Sequence, residues 1–394
     1  MEYSTDWRVA MHMDQERIRC AFIRGGTSRG AYLLEKDLPR DPVLRDQVIL
    51  AIYGSPDPRQ IDGIGGADSL TSKVAIISPS DRPDADVNYT FGQVSITTAL
   101  VDYKGNCGNI SAGVGPFAVD EGLVKAVEPI TRVRIYNTNT KKIIVADVPV
   151  KDGKALVEGD CAIDGVPGTG ARIMLDFVDS GGAVTGKLLP TGNVRDSIRV
   201  EDRRYTVSLV DAANPAIFVK AADLGIRGTE LASEIDANPW LLAELERIRS
   251  IGAEMIGLVQ DHRDATRLSP AVPKVAFVSP PQEYRTSKGD AIQPQDIDLT
   301  ARIMSMQKAH KAYAVTGAIV TATAAKIPGT VVNDCFRPRE GTDFVRIGHS
   351  SGRLALEIVV EPRGDGWFLK RAALERTARR IMDGFVYVPK SKMS

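Results

Sequence analysis

The stretch that most constrains this chain runs from residue 105 to residue 118, where a cysteine between glycines opens an apolar helix. Ile110 and Val114 lie four residues apart, so we expect one face of that helix to be buried. Cys107 would then lie at the helix N-terminus, where unpaired N–H groups and the helix dipole favour a negative charge, including a bound carboxylate. Alternatively, Asn109 is an N-cap and Cys107 is a small buried hydrophobic residue. The stretch alone leaves both interpretations open.

Length and charge limit the classes of partner. The chain has 394 residues, long enough for two domains. Its 50 basic and 50 acidic residues give a formal net charge of +0, whereas a nucleic-acid-binding protein would show a basic excess. No apolar run reaches the ~18 residues of a membrane span, and residues 1–15 lack the apolar core of a signal peptide. We therefore expect a cytoplasmic protein that binds neither nucleic acid nor membranes.

Cysteines and histidines do not form a recognisable cluster. The four histidines are scattered, and no CxxC or HExxH motif occurs. Widely separated cysteines fit reduced thiols rather than a disulfide framework; they are Cys20, Cys107, Cys161 and Cys335. We therefore predict chemistry without a metal or another cofactor.

Two further glycine-rich segments carry polar side chains. Residues 61–72 lead into Lys73, where an apolar strand begins. A lysine at such a junction is usually a solvated strand end, but a desolvated lysine beside an anion could act as a general base. Thr27 and Ser28 lie in the other segment, Arg24–Gly30. That segment lacks the ending of a P-loop, so a hairpin turn is the simpler interpretation.

The order of elements suggests an internal duplication. Each half supplies several short strands and one apolar helix preceded by a polar turn, and the second helical pattern covers residues 297–327. We predict an α+β fold of two similar lobes, each a curved, mostly antiparallel sheet or barrel around a central helix. The predicted lobes are 1–189, with its helix near 108–122, and 190–394, with its helix near 304–327. A return of the last strand to the N-terminal lobe is left open.

Taken together, the motifs resemble the PrpF family, within the diaminopimelate-epimerase-like fold. They extend from near residue 18 to near residue 389 and comprise Arg24–Gly30, Gly54–Pro58, Gln60–Gly63, Gly65–Ala67, Ser72–Lys73, Asn106–Asn109, Pro190–Asn193 and Gly348–His349. Residues 102–140 and 159–196 look most like the 3-methylitaconate Δ-isomerase members of the family. Arg29 departs from the usual lysine after Ser28 but keeps the charge.

The resemblance implies an active site in the cleft between the lobes, with Lys73 and Cys107 as the catalytic pair. The substrate-binding residues expected with it are Thr27, Ser28, Gly66, Asn106, Gly108, Asn109, Asn214, Ser305, Met306 and His349. Racemases of this fold use one cysteine at the start of each central helix. The second helix is predicted to start near Met304 and has no cysteine there, and Cys335 lies beyond its end. This departure argues against a racemase.

The expected function is a cofactor-independent isomerase. It would move a C=C bond by allylic proton transfer in a small unsaturated di- or tricarboxylate, in the manner of methylitaconate Δ-isomerase. The alternatives are a 2-methylaconitate cis-trans isomerase, a 4-oxalomesaconate tautomerase or, in another class, a non-enzymatic carboxylate-binding protein. Lys73 with Cys107 favours catalysis, because recognition alone needs no reactive thiol. A homo-oligomer is left open.

Overall fold

The computed structural model describes residues 14–178, 180–364 and 366–393. Most of the N-terminal segment that was assessed for a signal peptide therefore lies outside the described residues. The helices, apart from short 3-10 turns, are α1 (Pro42–Tyr53), α2 (Gly108–Asp120), α3 (Ala232–Asp236), α4 (Pro239–Met255), α5 (Ala265–Leu268), α6 (Val315–Lys326) and α7 (Val331–Cys335).

Strands make up most of the remaining regular structure. In chain order they are β1 (Gln15–Gly25), β2 (Ser28–Leu34), β3 (Lys73–Pro79), β4 (Val87–Val94), β5 (Val101–Asp102), β6 (Ile130–Asn137), β7 (Lys142–Lys151), β8 (Lys154–Ala155), β9 (Ile173–Val178), β10 (Asp196–Val200), β11 (Arg203–Ala212), β12 (Asn214–Lys220), β13 (Lys274–Ser279), β14 (Tyr284–Arg285), β15 (Ala291–Ile292), β16 (Leu299–Ser305), β17 (Lys308–Ala309), β18 (Phe344–His349), β19 (Gly352–Arg363), β20 (Gly366–Arg376) and β21 (Ala378–Pro389).

The same strand-pairing order occurs twice along the chain. Strands β1, β2, β3, β4, β6 and β7 pair in that order, alternately antiparallel and parallel. Strands β11, β12, β13, β16, β18 and β19 pair with the same alternation. In each set a short strand, β5 or β17, pairs with the fourth strand, and a long helix, α2 or α6, follows it. The molecule therefore consists of two lobes of one topology, and the predicted fold class is confirmed.

Strand pairing also connects the two lobes. Strand β9 pairs with β7 on one side and with β20 on the other, and β20 pairs with β19. The last strand, β21, pairs antiparallel with β1. One sheet thus continues from the first lobe into the second, and the C-terminal strand returns to the first lobe. The division of the chain between residues 189 and 190 stays a prediction.

Both long central helices are buried almost all round. Eleven of the 13 residues of α2 and all but the last residue of α6 are buried. Helix α2 contacts β1, β2, β6 and β7, whereas α6 contacts β11, β12, β18 and β19. Such helices form the core rather than an amphipathic surface layer, since they are apolar on every side. Within the described ranges, no helix has both the length and the apolar character needed to cross a membrane.

The predicted start of the second central helix near residue 304 is wrong. Residues Leu299–Ser305 form the wholly buried strand β16, and α6 begins only at Val315. Met306 and Gln307 have φ values of 51° and 60° and form the two-residue turn between β16 and β17. The error has a physical cause, because a strand buried on both faces has no alternating pattern and cannot be distinguished from a buried helix by periodicity.

Candidate active site

The N-termini of α2 and α6 meet at the boundary between the lobes. A Cβ atom on Gly108 would lie 2.4 Å from Cγ1 of Val315, so only glycine permits this close approach. Asn214 joins the two helix starts: its Nδ2 donates to the carbonyl of Asn106 at 3.0 Å and to Oγ1 of Thr316 at 3.1 Å. Its Oδ1 accepts the backbone N–H of Asn106 at 3.1 Å. The Asn214 amide therefore holds both helix starts in place.

A small cavity of about 30 Å³ lies at this junction, with room for about two water molecules. Its polar lining includes seven of the residues predicted from the sequence, namely Lys73, Cys107, Asn106, Gly108, Asn109, Asn214 and Ser305. Four further polar residues line it that had not been predicted, namely Gln93, Lys274, His310 and Thr316. No aspartate or glutamate is among its lining residues in the described part of the chain.

Lys73 is the first residue of β3 and is 5% exposed. Its ammonium donates a hydrogen bond to Oε1 of Gln93, and Gln93 Nε2 donates to the carbonyl of Ser72 at 2.9 Å. Burial lowers the pKa of Lys73, although the nearby Cys107 and Asp68 act in the opposite direction. A lysine with a lowered pKa is better suited to accept a proton near neutral pH.

Lys274 occupies the same place in the second lobe, as the first residue of β13. Lys73 pairs with the third residue of β2, and Lys274 with the third residue of β12. Burial, with repulsion from Lys73, lowers the pKa of Lys274 to about 8, although Cys107 and Asp102 act in the opposite direction. Lys274 has no ion-pair partner within the described residues. Two lysines thus line one small cavity, and neither has a carboxylate within ion-pair distance among the described residues.

A sequence signal for Lys274 existed but was missed. The segment Lys73–Pro79 reads Lys-Val-Ala-Ile-Ile-Ser-Pro, and residues 274–280 read Lys-Val-Ala-Phe-Val-Ser-Pro. This seven-residue repeat marks equivalent strands of the two lobes. A search for internal repeats would therefore have placed Lys274 beside Lys73 in the candidate site.

His310 contributes a hydrogen-bond donor to the cavity. Its Nδ1 accepts the backbone N–H of Ala312 at 3.1 Å, so a neutral ring carries its proton on Nε2. Burial, together with the charges of Lys73 and Lys274, lowers the pKa of His310 to about 3. The imidazole is therefore neutral at physiological pH, with an Nε2–H group available to an oxygen of a bound anion.

Cys107 occupies the N-cap position of α2, and its side chain makes no capping hydrogen bond. It is partly exposed, while Cys20, Cys161 and Cys335 are buried. The alternative in which Asn109 is the N-cap is wrong. Asn109 lies within the first turn, and its amide exchanges hydrogen bonds with Thr27 at 3.3 and 3.1 Å.

The other predicted substrate contacts lie outside this cavity. Thr27 and His349 line a second, larger cavity instead. Ser28 is buried, and its Oγ has no hydrogen-bond partner within the described residues. Gly66 lies against Thr71, and Met306 lies in the turn that follows β16. Contact of these five residues with a substrate stays a prediction.

Comparison with known proteins identifies the family. The sequence matches the PrpF protein family over residues 15–389. The chain belongs to the PrpF family. It is 56% identical over 381 residues to a 3-methylitaconate isomerase of Eubacterium barkeri, covering 96% of this chain and 99% of that protein. It is 44% identical to a (4E)-oxalomesaconate Delta-isomerase of Novosphingobium sp. strain KA1, covering 94% and 97% of the two chains.

A solved structure agrees with this assignment. The crystal structure of a methylitaconate-delta-isomerase superposes with a TM-score of 0.78 at 55% sequence identity, covering 97% of this chain and 98% of that one. The motifs that suggested a PrpF protein from the sequence therefore identified the family correctly.

Proposed function

We propose that this PrpF protein is a cofactor-independent isomerase that moves a C=C bond in a small unsaturated di- or tricarboxylate. The observation that carries the proposal is the pair of buried lysines, Lys73 and Lys274, in an acid-free cavity beside Cys107. Buried cations without a partner are costly, so an anion of matching charge is the natural ligand. The 56% identical relative, named 3-methylitaconate isomerase, supports a methylitaconate-like substrate.

The chemistry begins with loss of an allylic proton. Lys73 and Cys107 supply the base and the acid, with the assignment between them open. Removing the proton leaves a delocalised, dienolate-like anion. The N-terminus of α2, the charge of Lys274 and the Nε2–H of His310 all favour negative charge in this space. Returning the proton at the far end of the allyl system moves the double bond.

The same site supports a second outcome. If the proton returns to its original carbon after rotation, the product is the cis-trans isomer of the substrate. A 2-methylaconitate cis-trans isomerase would thus need no new catalytic group. A 4-oxalomesaconate tautomerase would need none either, because it returns the proton to another atom of the conjugated system. The shape of the substrate decides among these outcomes, and a 43% identical relative, named 4-oxalomesaconate tautomerase, supports the tautomerase alternative.

Binding requires the site to widen. A cavity of about 30 Å³ holds about two water molecules, and a six-carbon acid needs several times that space. We infer that the starts of α2 and α6 separate, or that lining side chains rotate, when the acid binds. A homo-oligomer and a cytoplasmic location stay predictions.

A substrate panel tests the proposal. Purified protein is assayed against methylitaconate, methylaconitate, aconitate and oxalomesaconate, with the Lys73→Ala variant as the control for contaminating activity. We expect isomerisation of at least one acid by the wild type and little by the variant. Binding of these acids without isomerisation of any would instead favour a carboxylate-binding protein.

A further inference from the structure

A second cavity lies on the other side of the Thr27–Asn109 hydrogen bonds. It measures about 480 Å³, large enough for a small organic molecule. Strands β19 and β20 form one wall, and residues 162–164 and Ala312 contribute to the others. Leu354 and Leu374 add apolar surface. Nothing in the proposed proton transfer uses this space.

Three of the four arginines that line this cavity form ion pairs with carboxylates. Arg339 and Arg346 both pair with Asp298, at 2.9 and 3.4 Å. Arg353 pairs with Asp296 at 3.7 Å. These three arginines share only two aspartates, so the ion pairs leave an excess of one positive charge in the cavity wall.

The carboxylates that line the cavity are also satisfied. Glu357 pairs with Arg371 at 2.9 Å, and Glu375 pairs with Arg172 at 3.2 Å. Asp164 accepts the backbone N–H of Arg353 at 2.6 Å. None of these three acids forms an ion pair with the fourth arginine.

Arg376, the fourth arginine, is buried without a counter-ion. It is 4% exposed and forms no ion pair within the described residues. One of its terminal nitrogens donates to the carbonyl of Glu375 at 2.8 Å, and its Nε is buried without a hydrogen-bond partner. A guanidinium group stays protonated in proteins, so an anion bound in the cavity would offset the cost of this buried charge.

We propose that the second cavity is a binding site for a small anion, with Arg376 as the group that holds its carboxylate or phosphate. The paired arginines and acids fix the walls, and the apolar side chains suit an organic portion of the ligand. The fork of the guanidinium matches the oxygens of either anionic group. This proposal does not rest on the proposed isomerase function, because it concerns a separate cavity.

Calorimetric titration with two probes, citrate and inorganic phosphate, tests the proposal and distinguishes a carboxylate ligand from a phosphate ligand. The variants are Arg376→Gln, the matched control Arg353→Gln in the same cavity, and Lys274→Met in the first cavity. For one of the two probes, we expect Arg376→Gln to raise the Kd of a binding event by about 10- to 100-fold, the usual range for a charge-assisted hydrogen bond. We expect Arg353→Gln and Lys274→Met to retain that binding event.

The outcomes separate the two cavities. If Arg376→Gln binds both probes as the wild type does, if only Lys274→Met loses binding, or if neither probe binds the wild type, the proposal is overturned. If Arg376→Gln does not fold, Ala355→Trp decides, because this exposed residue lines the cavity and its tryptophan would fill it without touching the first cavity. If Ala355→Trp loses the same binding event, the proposal is supported. If Ala355→Trp retains that event, the proposal is overturned.

Discussion

The two lobes bring equivalent elements to the first cavity but different chemistry. The first lobe supplies Lys73 at the start of β3 and Cys107 before α2. The second supplies Lys274 at the start of β13 and Ala314 before α6. The lysines therefore correspond in the two lobes, whereas the thiol has no counterpart. A duplicated scaffold can thus keep a buried lysine in both lobes while only one lobe carries a thiol at the start of its central helix.

The largest expected effect comes from removing the proposed catalytic pair of the first lobe. We expect Lys73→Ala and Cys107→Ala each to lower turnover by roughly 10²- to 10⁴-fold, the usual contribution of a general acid or base. Steady-state assays with the acid that the wild type converts measure the loss of turnover in each variant. Circular dichroism provides the folding control, and near-wild-type rates in both well-folded variants would contradict the assignment.

A smaller effect is expected from the lysine of the second lobe. We expect Lys274→Met to raise KM by roughly 10- to 100-fold, because a charge-assisted contact to a substrate carboxylate is lost. Since the pKa of Lys274 is about 8, KM of the wild type should rise as pH passes above that value and the ammonium loses its proton.

The Lys274→Arg variant is the matched control for this pH dependence. Arginine keeps its charge at high pH, so the rise in KM above about pH 8 should disappear in it. The pH dependence of kcat reports the titration of Lys73, Cys107 and other groups near the cavity, so KM and kcat must be measured separately at each pH. A rise in KM that persists unchanged in Lys274→Arg would show that another group causes it.

Adding a thiol to the second lobe tests the asymmetry itself. Ala314 is partly exposed at the start of α6, as Cys107 is at the start of α2. We expect Ala314→Cys to change turnover by less than about 10-fold. We also expect Cys107→Ala with Ala314→Cys to remain inactive, because general acid–base catalysis requires the group within hydrogen-bonding reach of the reacting proton. Recovery of turnover in the double variant would show that the lobes are interchangeable.

The smallest expected effect concerns the contact between the helix starts. Thr316→Val removes the hydroxyl that accepts from Asn214 and should lower the free energy of unfolding by about 1 kcal/mol. Thr323→Val on the same helix is the control, since the Thr323 hydroxyl is buried with no hydrogen-bond partner among the described residues and its loss should not destabilise the fold. Equal destabilisation of both variants in urea unfolding would argue against the proposed role of Asn214.

The sequence predicted the central helix of the first lobe more accurately than that of the second. The apolar spacing after Cys107 predicted a buried helix, and α2 begins at Gly108. In the second lobe, a fully buried strand preceded the helix, and the apolar pattern merged the two elements into one. The turn at Met306 and Gln307 contains no glycine or proline, so the usual turn signal was missing.

The composition of the site could be predicted only in part. Motifs located Lys73, Cys107 and the asparagines, but Gln93, His310 and Thr316 come together only through tertiary packing. The state of His310 depends on the N–H of Ala312, which is a property of the folded backbone. The anion site proposed in the second cavity depends on which arginines pair with carboxylates in the folded chain. The spacing of residues in the sequence does not predict these pairs.

Solvent exchange tests the central claim most directly, namely that Lys73 and Cys107 transfer a proton at an allylic carbon. The converted acid is incubated with enzyme in D₂O and followed by NMR. The account predicts deuterium at an allylic carbon of substrate or product with the wild type, and loss of isomerisation in Lys73→Ala and Cys107→Ala. Isomerisation and exchange that continue at wild-type rates in both variants would contradict it.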